Sequence, residues 1–320
     1  MALLDKREVY SPFEYQEAYD FWLKQQQAHW MHNEIAMASD INDWKLNLSE
    51  KEKNLIGNIL KGFVQSEILI ANYWSHLITQ WFQKPEICMA ANCMANMETI
   101  HQVAYAYLNE SLNLLDFDAF LYEPTIQAKL SKLVEPKSKS IEDIALSIAV
   151  FSGFAEGVQL FSSFAILLNF SRFNKLKGVG QIINFSVKDE SLHSQFGCWL
   201  FNQLIKEYPH IWTDELKKKI YDAARLTVQL EDDFIDKAFE LGNVDGLSKE
   251  EMKVFIRNRA NIKLIDLGLK TNWKNLDKEM LKKMDWFDFM TTGVHQVDFF
   301  AARVTDYSKG VVDFDQIWGE

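Results

Sequence analysis

All five prolines of this chain, Pro12, Pro85, Pro124, Pro136 and Pro209, fall between its long apolar-periodic stretches and none falls inside one. Proline lacks the backbone N–H and its ring clashes with the preceding turn, so a connection tolerates it where a helix interior does not. The long stretches are therefore free to be helical, and their apolar residues recur at the three- and four-residue intervals of one helix face. Ser49 followed by Glu52, and Ser248 followed by Glu251, each stand before an amphipathic run as a capping-box pattern. The sequence predicts helices over about 13–31, 50–82, 86–113, 140–171, 176–206, 213–241, 248–272 and 278–302. No Gly/Ser linker or low-complexity tract divides them, which predicts one domain over 1–306. The remaining residues, 307–320, mix acids with Phe314, Ile317 and Trp318 and read as a mobile tail with apolar anchors.

The 320 residues, 48% of them hydrophobic and 13% aromatic, can bury a sizeable core. A formal net charge of -11 and an isoelectric point near 5.2 give most of the surface the wrong sign for nucleic-acid phosphates or anionic lipid. No nucleic-acid or membrane partner is expected. The opening MALLDKREVY mixes acids and bases where a secretory leader would run apolar. No later apolar stretch is read as approaching membrane-spanning length, and a cytoplasmic protein is expected. Cys88, Cys93 and Cys198 are odd in number and lack C-x-x-C spacing, so reduced buried thiols are expected rather than a disulfide framework or zinc ribbon.

Two of the seven histidines have glutamate three positions earlier, in Glu98-Thr99-Ile100-His101 and Glu190-Ser191-Leu192-His193. On a helix, i and i+3 share a face, so each pair offers an oxygen and a nitrogen to one side. One such pair alone is usually a surface neighbour pair, but two of them inside apolar runs are harder to explain that way. An isolated glutamate also stands in an apolar run upstream of each: Glu67 in GFVQSEILIANYW, 31 residues before Glu98, and Glu156 in VFSGFAEGVQLF, 34 residues before Glu190. From Glu67 the chain can climb about 15 residues, roughly 22 Å, turn near Lys84-Pro85, and descend as far to Glu98. The same arithmetic carries Glu156 up to a turn near Asn174-Leu176 and back to Glu190. Four helices then deliver Glu, Glu-x-x-His, Glu and Glu-x-x-His to one layer, the ligand set of ferritin-like dinuclear carboxylate proteins. The expected fold is an all-α, ferritin-like helical bundle with the dinuclear site in its four-helix core and further helices flanking it.

Charge gives an independent argument, since four glutamates in a dry bundle cost several kcal/mol each if unpaired, or else protonate. Two divalent cations cancel the four negative charges. Mixed imidazole and carboxylate ligands suit iron or manganese better than zinc, which favours a tetrahedral and often thiolate set. The expected cofactor is a dinuclear centre of two iron ions, manganese with iron, or two manganese ions.

At these residues the chain resembles the small, radical-generating subunit of class I ribonucleotide reductase, from about Phe21 to the tail. METIHQVAYAY and VKDESLHSQFG are similar to its two ligand helices. The resemblance implies that Glu67, Glu98, His101, Glu156, Glu190 and His193 are the six metal ligands. It implies that Tyr105, four residues after His101, is the tyrosine oxidised to a stable radical, with Tyr107 as the substitute. Trp30 in AHWMHNE and Asp189 beside Glu190 resemble an electron-transfer relay in which tryptophan, aspartate and the ligand at His101 are hydrogen-bonded together. Tyr307 resembles the mobile tyrosine that hands the radical to the large subunit, onto which Phe314, Ile317 and Trp318 would dock. A homodimer is implied as well. The chain departs from the family's most common pattern at Glu67, where most iron-tyrosyl members have Asp. Glu there is more typical of manganese–iron members whose radical tyrosine is replaced by Phe, or of some dimanganese members. One dimanganese type carries a lysine one turn after the first ligand, where this chain has Ala71.

The implied activity is reduction of ribonucleotides to deoxyribonucleotides together with a large subunit. The resemblance implies that an oxygen-derived equivalent rests either on Tyr105 or on the metals themselves and passes through His101, Asp189 and Trp30 toward Tyr307 and a cysteine of that subunit. The chain itself carries no nucleotide-binding glycine loop. An oxidase or hydroxylase on the same bundle would not need Trp30, Asp189 and Tyr307 together. Iron-storage chains are usually about half this length, and a plain helical scaffold leaves four glutamates in apolar runs unexplained.

Overall fold

A computed structural model of the chain describes residues 2–114, 124–125, 128 and 140–292. Helix α1 spans Gln16–Gln27 and α2 Ala38–Asn42. Helix α3 spans Glu50–Asn72 and widens into a π-helical stretch over Tyr73–Ile78. Helix α4 is Pro85–Ser111, and α5 is a continuous rod over Ile141–Arg172. Then come α6 (Lys177–Glu207), α7 (Asp214–Ala238), α8 (Lys249–Asp266), α9 (Lys278–Lys283) and α10 (Asp285–Thr292). Among the described residues there is no strand, only an isolated bridge between Val244 and Leu247. The residues after 292 of the helix expected over 278–302 lie outside the described residues, as do Tyr307, Phe314, Ile317 and Trp318.

Local chemistry sets the helix starts. Reciprocal capping boxes close the heads of α3 at Ser49/Glu52 and α8 at Ser248/Glu251. Pro85 occupies the first turn of α4, where its missing N–H has no partner to lose. Ser140 and Thr213 cap α5 and α7 by accepting from the N–H groups of Asp143 and Leu216. The turn into α6 runs through Asn174 (φ 62°) and Leu176 (φ 50°), and α6 has no side-chain cap from its own N-cap residue. The buried carboxylate of Asp40, on α2, accepts from the N–H groups of Gly178 (3.0 Å) and Val179 (2.8 Å) instead. Asp43 accepts from Leu176 N–H at 2.9 Å. A short helix distant in sequence thus fixes the register of α6.

Helices α3 and α4 pack side by side, as do α5 and α6, and α4 meets α6 between the pairs. Helix α1 lies on α4, while α7 and α8 cover the middle of α5. That coverage corrects one expectation. Ile141–Arg172 is long and apolar enough by composition to cross a membrane, with mean hydropathy 1.6 over its most apolar 18-residue window. In the fold 89% of that window is buried, because helices surround α5 and every face needs apolar side chains. A second difference concerns regularity: α5 was expected as plain α-helix, but Ala149–Gln159 is π-helical. Its wider turns carry an extra residue and change which side chains point inward. Gly157 permits the close approach of neighbours there, since a Cβ would stand 2.7 Å from Lys263 Cδ and 2.8 Å from Ser194 Oγ.

Candidate metal centre

Each pair of helices brings carboxylates to the same level. Glu67 comes from α3, Glu98 and His101 from α4, Glu156 from the wide segment of α5, and Glu190 and His193 from α6. All six are fully buried. Their donor atoms form two quartets, each within 4.8 Å: Glu67, Glu98, His101 and Glu190, then Glu98, Glu156, Glu190 and His193. Glu98 and Glu190 belong to both, so the quartets are adjacent and share two carboxylates.

The geometry inside the cluster suits cations. His101 Nε2 lies 3.1 Å from Asp189 Oδ2. A carboxylate there selects the tautomer with its proton on Nε2 and turns the Nδ1 lone pair inward. Nδ1 then faces Glu98 Oε2 at 3.1 Å and Glu190 Oε1 at 3.2 Å. Across the cluster, His193 Nδ1 and Glu98 Oε1 stand 2.7 Å apart without hydrogen-bond alignment. Neither ring nitrogen of His193 has a hydrogen-bond partner, and neither does Glu156 Oε2. Lone pairs converging on one dry space repel unless protons or metal ions lie between them. The residues therefore fit a dinuclear metal site.

The charges within the cluster carry the same frustration. Burial, then the charges of Glu98 and Glu190, push Glu67 well above the carboxylate range. Burial followed by Glu190 and Glu98 does the same to Glu156, and burial with Glu98 lifts Glu190 to about 7. Burial also works to raise Glu98, but His193 and His101 beside it outweigh burial and hold it below the usual range. Burial opposes charging His193, yet the Glu98 carboxylate more than reverses this and its pKa rises. Without metal the cluster retains protons that cations must displace.

Around the cluster, Asp189 accepts from Trp30 Nε1 at 2.8 Å and from Gln25 Nε2 at 2.7 Å while holding His101. Trp30, Asp189 and His101 are thus connected side chains. The Tyr105 ring centroid lies 5.9 Å from that of His101 and stacks on Phe63 at 4.7 Å. Burial, opposed by His101 and reinforced by Glu67, keeps the Tyr105 phenol protonated far above its usual range. Tyr107 points elsewhere, its hydroxyl donating to the Ile35 carbonyl at 3.1 Å. Two neighbours escaped the sequence reading. Trp74 Nε1 donates to Glu156 Oε1, and its place seven residues after Glu67, on the same helical face, was the available sign. Gln25, buried at seven residues from buried Ala18 on α1, carried the same kind of sign.

Fold and donor set together define a class, the helical-bundle metalloproteins with a carboxylate–histidine dinuclear centre. Within that class the chain belongs to the family described as ribonucleotide reductase, small chain, whose profile matches residues 7–279. A probable ribonucleoside-diphosphate reductase small subunit of Invertebrate iridescent virus 3 is 34% identical, covering 99% of this chain and 89% of that one. The solved R2 subunit from Clostridium botulinum shares the fold with a TM-score of 0.82 at 19% identity, over 91% of this chain and 94% of that one. The dimanganese(II)-NrdF of Streptococcus sanguinis does so with a TM-score of 0.75 at 23% identity, over 88% and 99%. The chain is therefore an oxidoreductase subunit, the small subunit of a ribonucleoside-diphosphate reductase.

Proposed function

We propose that Glu67, Glu98, His101, Glu156, Glu190 and His193 bind two metal ions, with Glu98 and Glu190 shared between them, and that Tyr105 stores the resulting oxidising equivalent. The observation that carries this reading is the pair of buried quartets with two carboxylates in common. When bound, the metal pair supplies oxidising power drawn from oxygen. The protein's own residues orient, insulate and conduct. Asp189 fixes the His101 tautomer, and its hydrogen bond to Trp30 extends that contact toward α1. Phe63 packs over Tyr105 and excludes water from a phenol that burial keeps protonated. From Trp30 the equivalent passes toward Tyr307 and a cysteine of the large subunit, and Phe314, Ile317 and Trp318 dock the tail on that partner.

The metals are two iron ions, manganese with iron, or two manganese ions. Glu67 leans toward a manganese-containing pair, while retained Tyr105 leans toward a tyrosyl store. A cytoplasmic homodimer, with residues 307–320 forming a tail outside one bundle domain, completes the reading. Metal analysis joined to electron paramagnetic resonance, after aerobic activation with iron, manganese or both, tests it. Two ions per chain, fewer in Glu156→Ala, and an organic radical absent from Tyr105→Phe are the expected results. One ion per chain refutes the ligand assignment, and full turnover in Tyr105→Phe refutes the tyrosyl store. Deleting residues 314–320 should abolish binding to the large subunit and leave the metals in place.

A further inference from the structure

A line of aromatic rings leaves the second quartet, the one containing Glu156 and His193, and ends at the surface. Fully buried Trp74 donates to Glu156 Oε1, and its ring lies 6.1 Å from that of His193. Trp74 meets Phe196 at 5.7 Å, Phe196 stacks on half-buried Trp199 at 5.7 Å and 16°, and Trp199 meets Tyr15 edge-on at 6.3 Å. Tyr15 is half-buried at the head of α1, and its hydroxyl donates to Glu207 Oε1 at 2.6 Å. None of these residues belongs to the connection through His101, Asp189 and Trp30, which leaves the other quartet.

Tryptophan and tyrosine are the most readily oxidised of the aromatic side chains, and tyrosine loses its electron at ordinary potentials only if a base takes the phenolic proton. Glu207 is that base, already hydrogen-bonded to the proton it would receive. We propose that Tyr15, Trp199, Phe196 and Trp74 form a second electron conduit, through which a small reductant at the surface discharges an oxidising equivalent not taken up by the Trp30 route. One electron leaves Tyr15 and moves inward by way of Trp199 and Trp74, across the Phe196 ring, cancelling one oxidising equivalent at the centre. The Tyr15 proton moves to Glu207, leaving a neutral phenoxyl beside a carboxylic acid. A surface reductant of the thiol or enediol class gives one electron to the phenoxyl as Glu207 returns the proton, so atoms and charge balance. The conduit would protect the buried ligands from their own oxidant when the large subunit is not drawing on it.

This inference rests on the metal-centre reading, so the test measures metal content separately from discharge. Full-length protein is loaded with iron(II) or manganese(II), activated with oxygen and mixed with ascorbate. Metals per chain, thermal stability and the decay of the stored equivalent by resonance and optical spectroscopy are followed. Tyr15→Phe and Trp199→Phe keep a ring at each position while removing the oxidisable group. Both should retain two metals per chain and discharge about tenfold more slowly, the factor for closing a route that carries about nine-tenths of the discharge. Trp22→Phe serves as the control with an unchanged rate, since among the described residues its ring meets Tyr19 at 5.4 Å and no ring of the conduit. In Tyr105→Phe protein with ring-deuterated tyrosine, a transient narrowed tyrosyl signal should appear and be absent from Tyr105→Phe/Tyr15→Phe. Wild-type discharge rates in metal-loaded Tyr15→Phe and Trp199→Phe would overturn the conduit alone. Absence of metal uptake by the wild type would overturn the metal-centre reading and the conduit with it.

Discussion

Replacing Asp189 with asparagine separates charge from shape at the residue holding His101. Asp189 Oδ2 serves both Trp30 Nε1 at 2.8 Å and His101 Nε2 at 3.1 Å, while Oδ1 takes Gln25 Nε2 at 2.7 Å. An asparagine placed with its oxygen at the Oδ2 position keeps the first two bonds and turns its NH2 toward Gln25. Gln25 Oε1 is buried without a partner, so a flip of that amide meets the new donor with an acceptor. All three contacts survive as neutral bonds, and the expected stability loss is about 1 kcal/mol. What disappears is the negative charge that raises the basicity of the imidazole, and loss of such a partner typically lowers metal affinity by about 10- to 100-fold. That corresponds to roughly 1.4–2.8 kcal/mol. Asp189→Ala instead strands three donors, on fully buried Trp30, His101 and Gln25, at about 3–9 kcal/mol in total. Chelator competition measures the affinity, and thermal unfolding of the metal-free protein measures the stability. Metal affinity in Asp189→Asn within twofold of wild type would refute the claim that this carboxylate tunes His101.

Three further outcomes follow from other parts of the fold. Asp40→Ala removes two charge-assisted bonds to the head of α6 and should cost about 2–3 kcal/mol, with amide exchange rising first at Gly178 and Val179; unchanged protection there counts against the clamp. Gly157→Ala drives a Cβ into Lys263, which is buried and tied to Asp266 at 2.9 Å, and should destabilise by about 1–3 kcal/mol; a neutral or higher Tm contradicts the packing argument. Burial holds the thiols of Cys93 at about 11 and Cys198 at about 12, so little thiolate forms at neutral pH. Native protein at pH 8 should resist alkylation at both, with mass spectrometry showing modification only on unfolding.

The sequence carried most of the site because its chemistry is periodic. Glu98 and His101, or Glu190 and His193, must share a face on any helix, and the spacing from Glu67 or Glu156 to its turn is a matter of rise per residue. The helical class was legible from proline placement and capping residues for the same local reason. The parts that were not legible depend on contacts distant in sequence. Nothing near Leu176 announces that Asp40 caps α6, because the capping carboxylate sits more than a hundred residues earlier. The π-helical segment of α5 looks like ordinary helix in VFSGFAEGVQLF, and the neighbours that crowd its Gly157, Ser194 and Lys263, lie far along the chain. The apolar length of Ile141–Arg172 escaped notice because polar Ser152, Glu156 and Gln159 interrupt it, although the fold buries all three.

Helix α6 explains why those distant contacts matter to chemistry. Along one helix it carries Asp189 toward Trp30, Glu190 and His193 into the metal cluster, Phe196 and Trp199 along the second aromatic line, and Glu207 to Tyr15. Consecutive helical residues turn by about 100°, so these side chains point correctly only in one rotational setting of the whole rod. Two clamps hold that setting. At the head, Asp40 and Asp43 take backbone N–H groups, which an axial rotation would misalign. At the tail, Glu207 accepts from Leu3 N–H at 2.6 Å as well as from Tyr15. A rigid helix pinned at both ends can present a metal ligand, its tautomer-fixing neighbour and a separate aromatic path without any of them depending on a loop. Longitudinal slip by one residue would move Glu190 away from Glu98 and Asp189 away from His101 at once, so metal binding and register stand or fall together.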